Sequence, residues 1–402
     1  MKKIPVHELR LGMYLQELCG SWMDHPFWKS SFLLDSERDL EALRKSNVEM
    51  VWIDPDRGLD TTLPDAVEED EQERTTLNEH LDNWQDPSMM GAKVSQVSYE
   101  AEIDHARRVY GKAKAAMVSM FSEVRMGNCL PVEQAYPVVE EIHRSVARNT
   151  DALISLVRLK NQDQYTYLHS VAVCALMIGL GKQLGLEGEA LRRAGVAGLF
   201  HDAGKMRVDE AILNKPDRLT DEEFGLVKAH PVLGYELLRE ARITDEVVLD
   251  VCRHHHERLD RKGYPDRLSD SEISLYVRMA TVCDVYDAIT SDRCYKKGWE
   301  PALAIHRMAE WQQGHFDEKV FHAFVRTVGI YPCGTLVRLK SGRLGTVLAQ
   351  NPNNLLRPRV RVHFSIRLDR RIAPEIVDLD LDRDAILGAE DPAKWGLDPA
   401  SP

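Results

Sequence analysis

The residues best suited to chemistry crowd into one stretch of the chain. Six of its 15 histidines, His169, His201, His230, His254, His255 and His256, fall between positions 169 and 256, and His201 directly precedes Asp202. Any one of them alone reads as a histidine of a packed core. Taken together they offer something else: neutral imidazoles and a carboxylate arriving from several segments are the N and O ligands that a pair of iron or manganese ions takes. A carboxylate can serve both cations, one through each oxygen.

The seven cysteines, Cys19, Cys129, Cys174, Cys252, Cys283, Cys294 and Cys333, are far apart and form no C-x-x-C pair. An odd, dispersed set of this kind argues against a disulfide framework and against a cysteine zinc site, and a reducing cytoplasm is the expected compartment. The glycines Gly179, Gly181 and Gly185 imitate a nucleotide fingerprint only loosely. They lie within or at the end of an expected helix instead of after a strand, so helix packing and capping is their reading.

Five ordered motifs carry a family resemblance across residues 163 to 332. They are Tyr165-Thr-Tyr-Leu-His169-Ser170, then His201-Asp202-Ala-Gly-Lys205, then Ile212 to Glu223 leading to His230 and Gly234. His255-His256-Glu257-Arg258 with Asp260 and Gly263-Tyr264-Pro265 comes next, and Asp284-Val-Tyr-Asp287 running on to Arg293, Tyr295 and Lys296 is the last. In this order they resemble the HD superfamily of metal-dependent phosphohydrolases, and more narrowly its HD-GYP branch of cyclic di-GMP phosphodiesterases. Residues 4 to about 60, opening on Ile4-Pro-Val-His-Glu-Leu-Arg-Leu-Gly-Met-Tyr14, are similar to a domain of unknown function that often precedes such enzymes.

The resemblance implies a role for each motif residue. His169, His201, Asp202 and Asp284 would hold one divalent metal, and Asp202 would bridge to a second held by His230, His255 and His256. Fe or Mn are the expected ions, and a hydroxide between the two would attack phosphorus in line with the leaving oxygen. Asp202 and Lys205 are the expected catalytic residues, with Lys205 neutralising phosphoryl charge. Lys205, Tyr264, Asp287, Arg293 and Lys296 would bind the substrate. The product would be the linear dinucleotide or, after a further step, GMP.

Counting back from Gly263-Tyr264-Pro265 leaves His254 as the spare of its triplet, with a role other than metal ligand. Two positions depart from the family pattern. Tyr165 stands one helical turn before His169, where many members carry a glutamate able to reach a third metal, so two metals per chain are expected. Arg261 stands where a glycine is usual, and a positive φ there would strain it. The alternatives to a cyclic di-GMP phosphodiesterase are a dinucleotide-binding or protein-binding signalling scaffold with little activity, and an HD phosphohydrolase of another nucleotide.

These residues need rigid elements to position them. From Tyr99 to Leu159 apolar residues recur at helical spacing, and further helices are expected at 171–184, 191–200, 221–240, 245–256 and 273–289. The fold class is therefore multidomain: an all-α, HD-type core at 151–330, preceded by a helical connector at 99–150. A small α/β or β-rich accessory domain at 1–62 precedes an acidic linker at 63–98, and a β-rich cap at 331–387 ends in a flexible tail at 388–402. A length of 402 residues supports two or three such units.

With 52 Lys and Arg against 64 Asp and Glu the chain carries −12, which argues against bulk-charge binding of DNA or an anionic membrane. Cyclic di-GMP is the expected partner, joined by a homodimer contact or a signalling protein at the N-terminal domain. The apolar run Gln164–Gly181 contains Tyr165, Tyr167, His169 and Ser170, polar groups that a protein core can pair and a bilayer penalises, so no membrane span is expected.

Overall fold

The computed structural model describes residues 2–18, 32–45, 48, 50–55, 57–59, 97–157, 165–215, 219–291 and 298–397. Residues 63–96 of the expected acidic linker, the Arg293 and Lys296 positions and residues 398–402 lie outside the described residues, as does the Tyr165 side chain.

The N-terminal region is a four-stranded antiparallel sheet of β1 (Lys2–Pro5), β2 (Tyr14–Leu18), β3 (Phe32–Leu33) and β4 (Met50–Ile53), ordered β1-β4-β2-β3, with α1 (Glu37–Lys45) beside it. Ile4, Leu15, Leu43, Val51 and Ile53 are buried in its own small core.

The helical core follows as α2 (Tyr99–Arg125), α3 (Ala135–Arg148), α4 (Thr150–Val157), α5 (Tyr165–Gln183), α6 (Gly188–Phe200), α7 (Glu210–Leu213), α8 (Asp221–Lys228), α9 (His230–Glu240), α10 (Glu246–His254), α11 (Leu275–Thr290), α12 (Pro301–Glu310), α13 (Gln312–His315) and α14 (Glu318–Val328). Helix α2 buries the stripe Ala106, Val109, Ala113, Met117, Met120 and Phe121, and it shares one continuous hydrophobic cluster with α5, α6 and α11. The expected connector is thus packed into the same core as the helices that bear the site. Helix α5 is buried on every side from Leu168 to Leu180, which explains its uninterrupted apolar sequence. Among the described residues no helix is long and apolar enough to cross a membrane.

One expected helix is two. Residues 221–240 split at Ala229 because Pro231 has no N–H to give Val227 and its ring crowds that carbonyl. Helix α8 starts on a Thr220–Glu223 capping box, and α9 restarts at His230 with Pro231 in its first turn. The expected helix 245–256 likewise stops at His254, leaving His255 and His256 on the turn that follows.

A five-stranded antiparallel sheet closes the chain: β5 (Leu336–Leu339), β6 (Arg343–Ala349), β7 (Arg359–Ser365), β8 (Arg370–Asp378) and β9 (Ile386–Ala389), ordered β8-β7-β6-β5-β9. The tail expected to fray from Gly388 is a correction: Gly388 pairs with Arg338 across β9 and β5, and Trp395 packs edge-on against Phe364 at 5.7 Å. Apolar burial of Leu397 beside Phe364 holds what the Pro and Asp content suggested would be loose.

Candidate metal centre

Four of the five imidazoles are aimed by a partner on the far side. The His201 ring follows the end of α6 and its Nδ1 lies 2.8 Å from the Gly198 carbonyl. The His255 Nδ1 lies 3.0 Å from the Val251 carbonyl, and the His230 Nδ1 lies 2.7 Å from the carbonyl of Val227, the group that Pro231 leaves without a helical donor. A carbonyl only accepts, so in each ring Nδ1 carries the proton and Nε2 presents a lone pair. On α5, His169 Nδ1 donates to Asp287 Oδ2 at 2.6 Å, with the same consequence.

These lone pairs converge on the two oxygens of Asp202. Its Oδ2 faces His169 Nε2 at 3.4 Å and His201 Nε2 at 3.5 Å, while Oδ1 faces His230 Nε2 at 3.1 Å and His255 Nε2 at 3.8 Å. Asp284 on α11 points Oδ1 at His169 Nε2, 3.0 Å away, and Oδ2 at His256 Nδ1, 3.7 Å away. Asp202, Asp284 and the five histidines are all 5% exposed or less.

The cluster fits cations better than it fits itself. His230 Nε2 and His255 Nε2 are 3.2 Å apart, as are His169 Nε2 and His201 Nε2, and with the protons on Nδ1 each pair sets lone pair against lone pair. Among the described residues none donates a hydrogen bond to the buried Asp202 Oδ1. A buried carboxylate oxygen facing unprotonated nitrogens is costly alone and is satisfied by a positive ion. The triplets His169, His201 and Asp202, and His230, His255 and His256, each bring their donor atoms within 4.8 Å of one another, as do His201, His255 and Asp284.

Electrostatics agree with that donor set. Burial, helped by the neighbouring imidazoles, pushes His255 down to about 3 and holds His256 and His201 below the usual histidine value, so all three are neutral. Burial would raise Asp202, but the Lys205 ammonium beside it holds it well below the usual carboxylate range. Asp284 is likewise lowered, against burial, by its contact with His169. Burial lowers His169 too, but the carboxylates of Asp284 and Asp287 beside it outweigh burial and raise it.

Close approach of the backbone assembles this geometry. A Cβ on Gly204, in the 3-10 turn 203–207 after Asp202, would overlap the His230 carbonyl and stand 2.5 Å from the Gly234 nitrogen. The glycine therefore lets the turn carrying Asp202 and Lys205 press against the start of α9.

Other expected residues fall around the cluster. Lys205 Nζ bonds Asp202 Oδ2, and the Tyr264 ring stacks on His256 with centroids 4.7 Å apart and planes at 28°. His254 points away: its Nδ1 meets Asp250 at 2.7 Å and its Nε2 meets Asp266 at 3.0 Å, which leaves neither nitrogen for a metal. Asp287 lies behind the cluster. Expected to bind substrate, it is 2% exposed and sits behind His169 as the acceptor that orients the ring. Arg261 adopts φ 62°, the left-handed conformation its family position implied.

Two residues without an expected role belong to the same surroundings. Lys228, at the end of α8, holds its ammonium 4.7 Å from the Tyr264 ring centroid. Glu257 is 1% exposed and faces the turn after Tyr264. The cation two residues before His230 and the acid next to His256 were the sequence signals for them.

Comparison with known proteins follows the same division of the chain. A domain-of-unknown-function model (DUF3391) matches residues 1–135 and an HD-domain model matches residues 148–320. The chain is 54% identical over 400 residues to a cyclic di-GMP phosphodiesterase of Pseudomonas aeruginosa, covering 99% of this chain and 94% of that protein. It is 36% identical over 148 residues to the cyclic di-GMP phosphodiesterase response regulator RpfG of Xanthomonas campestris pv. campestris, 37% of this chain and 39% of that one. With the 3′3′-cGAMP-specific phosphodiesterase 1 of Vibrio cholerae it shares 34% over 166 residues, 41% of this chain and 38% of that protein. Matched along almost its whole length, and bearing the HD doublet and the Gly-Tyr-Pro turn at one histidine cluster, the chain belongs to the HD-GYP branch of the HD-domain family.

Proposed function

We propose that this protein is a metal-dependent phosphodiesterase that hydrolyses cyclic di-GMP to the linear dinucleotide and onward to GMP. The observation that carries the reading is Asp202, whose two oxygens face two separate histidine groups, His169 with His201 and His230 with His255. Asp284 completes the first group, and His256 the second. Two divalent ions, Fe or Mn, held there would acidify water and draw charge from a phosphoryl group.

The chain's own residues supply the rest. Lys205, hydrogen-bonded to Asp202, is placed to meet negative charge growing on a phosphoryl oxygen and stabilises it without reorganising. Tyr264 contacts the substrate beside His256, and Arg293 and Lys296 grip the phosphate remote from the attacked one. Asp287 fixes the His169 tautomer and ring plane. A reducing compartment such as the cytoplasm suits the free thiols of Cys129, Cys174, Cys252, Cys283 and Cys333. We assign the N-terminal region to docking, with a second copy or a signalling protein as its partner.

The test is purification under reducing conditions, metal analysis, and incubation with cyclic di-GMP and separately with 3′,3′-cGAMP, with chromatographic separation of products. Two ions per chain and turnover of cyclic di-GMP are expected. Faster turnover of the mixed dinucleotide would move the substrate assignment, and tight binding without turnover would select the scaffold.

A further inference from the structure

A buried carboxylate that the proposed reaction does not use lies next to the histidine cluster. Glu257 follows His256 and is 1% exposed. Its Oε1 accepts from the backbone N–H groups of Asp266 at 2.7 Å and Arg267 at 2.8 Å, and its Oε2 accepts from Leu268 at 3.2 Å. Three consecutive backbone donors closing on one carboxylate form an anion-binding concavity whose anion is built into the chain.

The donors belong to the turn that begins at Gly263-Tyr264-Pro265, and that turn folds back onto Glu257. The Tyr264 N–H donates to the His256 carbonyl at 3.2 Å, and a Cβ on Gly263 would stand 2.5 Å from both Glu257 Cα and the Arg258 nitrogen. Arg267, whose N–H is one of the three, adopts φ 56°, a conformation an L residue takes only when its surroundings hold it there. At the start of the turn the Tyr264 ring lies on His256, with Lys228 4.7 Å from its centroid.

We propose that Glu257 is a positioning residue for the substrate-binding turn: by holding the N–H groups of residues 266–268, its carboxylate sets Tyr264 against His256 before substrate arrives. This rests on the reading that Tyr264 contacts the substrate. Removing the carboxylate frees the turn to sample other conformations, and the substrate must then order it, which costs affinity more than chemistry.

The experiment combines Glu257→Gln, Tyr264→Ala and the double variant with kinetics on cyclic di-GMP and metal analysis. Glu257→Gln should raise KM about tenfold while kcat stays within about threefold, the scale of weakened charge-assisted hydrogen bonds acting on binding alone. Its metal content should match the unmodified protein, and in the Tyr264→Ala background it should cost nothing further. Additive losses, or metal loss together with a fall in kcat, would overturn the proposal. Hydrogen exchange on the unmodified protein tests the contact with no variant: the amides of Asp266 and Arg267 should be protected although both residues are exposed, and rapid exchange there overturns it. If the unmodified protein leaves cyclic di-GMP intact, the proposed function falls, while the exchange result still judges Glu257.

Discussion

Replacing Asp287 by Asn separates the role expected from sequence from the role its surroundings suggest. The carboxylate is 2% exposed and its Oδ2 is 2.6 Å from His169 Nδ1. Asparagine keeps the volume and can still accept the proton's hydrogen bond, but the charge that draws that proton to Nδ1 is gone. A hydrogen bond to a charged group is worth about 1.5–3 kcal/mol, so the cost corresponds to about a 10- to 100-fold loss, the range found when the partner behind a metal-bound histidine is removed. The loss should appear in metal affinity, measured by stripping the protein with a chelator and titrating Mn²⁺ back calorimetrically. At saturating metal, KM for cyclic di-GMP should be close to that of the unmodified protein. Unchanged metal affinity together with a raised KM would refute the reasoning and return Asp287 to substrate binding.

Asp202→Asn should abolish hydrolysis and lower metal content, since one of the two oxygens that face the histidine groups becomes an amide; hydrolysis by protein shown free of metal would sink the two-ion reading. Lys205→Ala should retain metal yet lose about 100-fold in turnover, the usual scale for one charge-stabilising donor, and an unchanged rate would make Lys205 structural. Burial lowers the His254 pKa, but Asp250 and Asp266 outweigh it and raise the value above the ordinary one. The stabilisation from His254 is therefore full below about pH 6.5, while its partners stay ionised, and fades as pH rises through the raised value. The stability gap between the unmodified protein and His254→Gln, read by denaturant titration, should shrink from about pH 6 to about pH 9; a gap that widens over that range contradicts the pairing.

What could be read from sequence was the set of side chains with distinctive chemistry. His169, His201, Asp202, His230, His255, His256 and Asp284 were legible because imidazoles and carboxylates at ordered motifs point to one site, and the structure brings them together. The groups that aim them were not legible. Gly198, Val227 and Val251 act through carbonyl oxygens, which every residue possesses, so nothing in their identity marks them. Pro231 is the exception in hindsight: a proline in an apparent 20-residue helix signalled both the break and the freed Val227 carbonyl. Strand β8 is hard to read from sequence for a related reason, since Pro374 and exposed polar residues disguise it. At the edge of the sheet a missing N–H is tolerated.

The substrate turn tests whether a departure from the family pattern is a conformational cost or a steric one. Arg261 sits at φ 62°, where an L residue pays about 1–2 kcal/mol, but it is exposed and its N–H donates to the Arg258 carbonyl at 3.0 Å. Asp260, gripped by Arg258 at 2.8 and 3.0 Å, accepts the Lys262 N–H and closes the same bend. Arg261→Gly should therefore relieve that conformational cost and add unfolded-chain entropy of similar size, leaving stability within about 1 kcal/mol and metal content unchanged. Gly263 is different, because there the added Cβ collides with backbone at 2.5 Å. Gly263→Ala should displace the turn, with a stability loss of about 2 kcal/mol or more and a raised KM. Thermal or denaturant unfolding of the two variants side by side decides it: a Gly263→Ala protein as stable as Arg261→Gly, with KM unchanged, would show that the tight approach of the turn to Glu257 and Arg258 is not what shapes it.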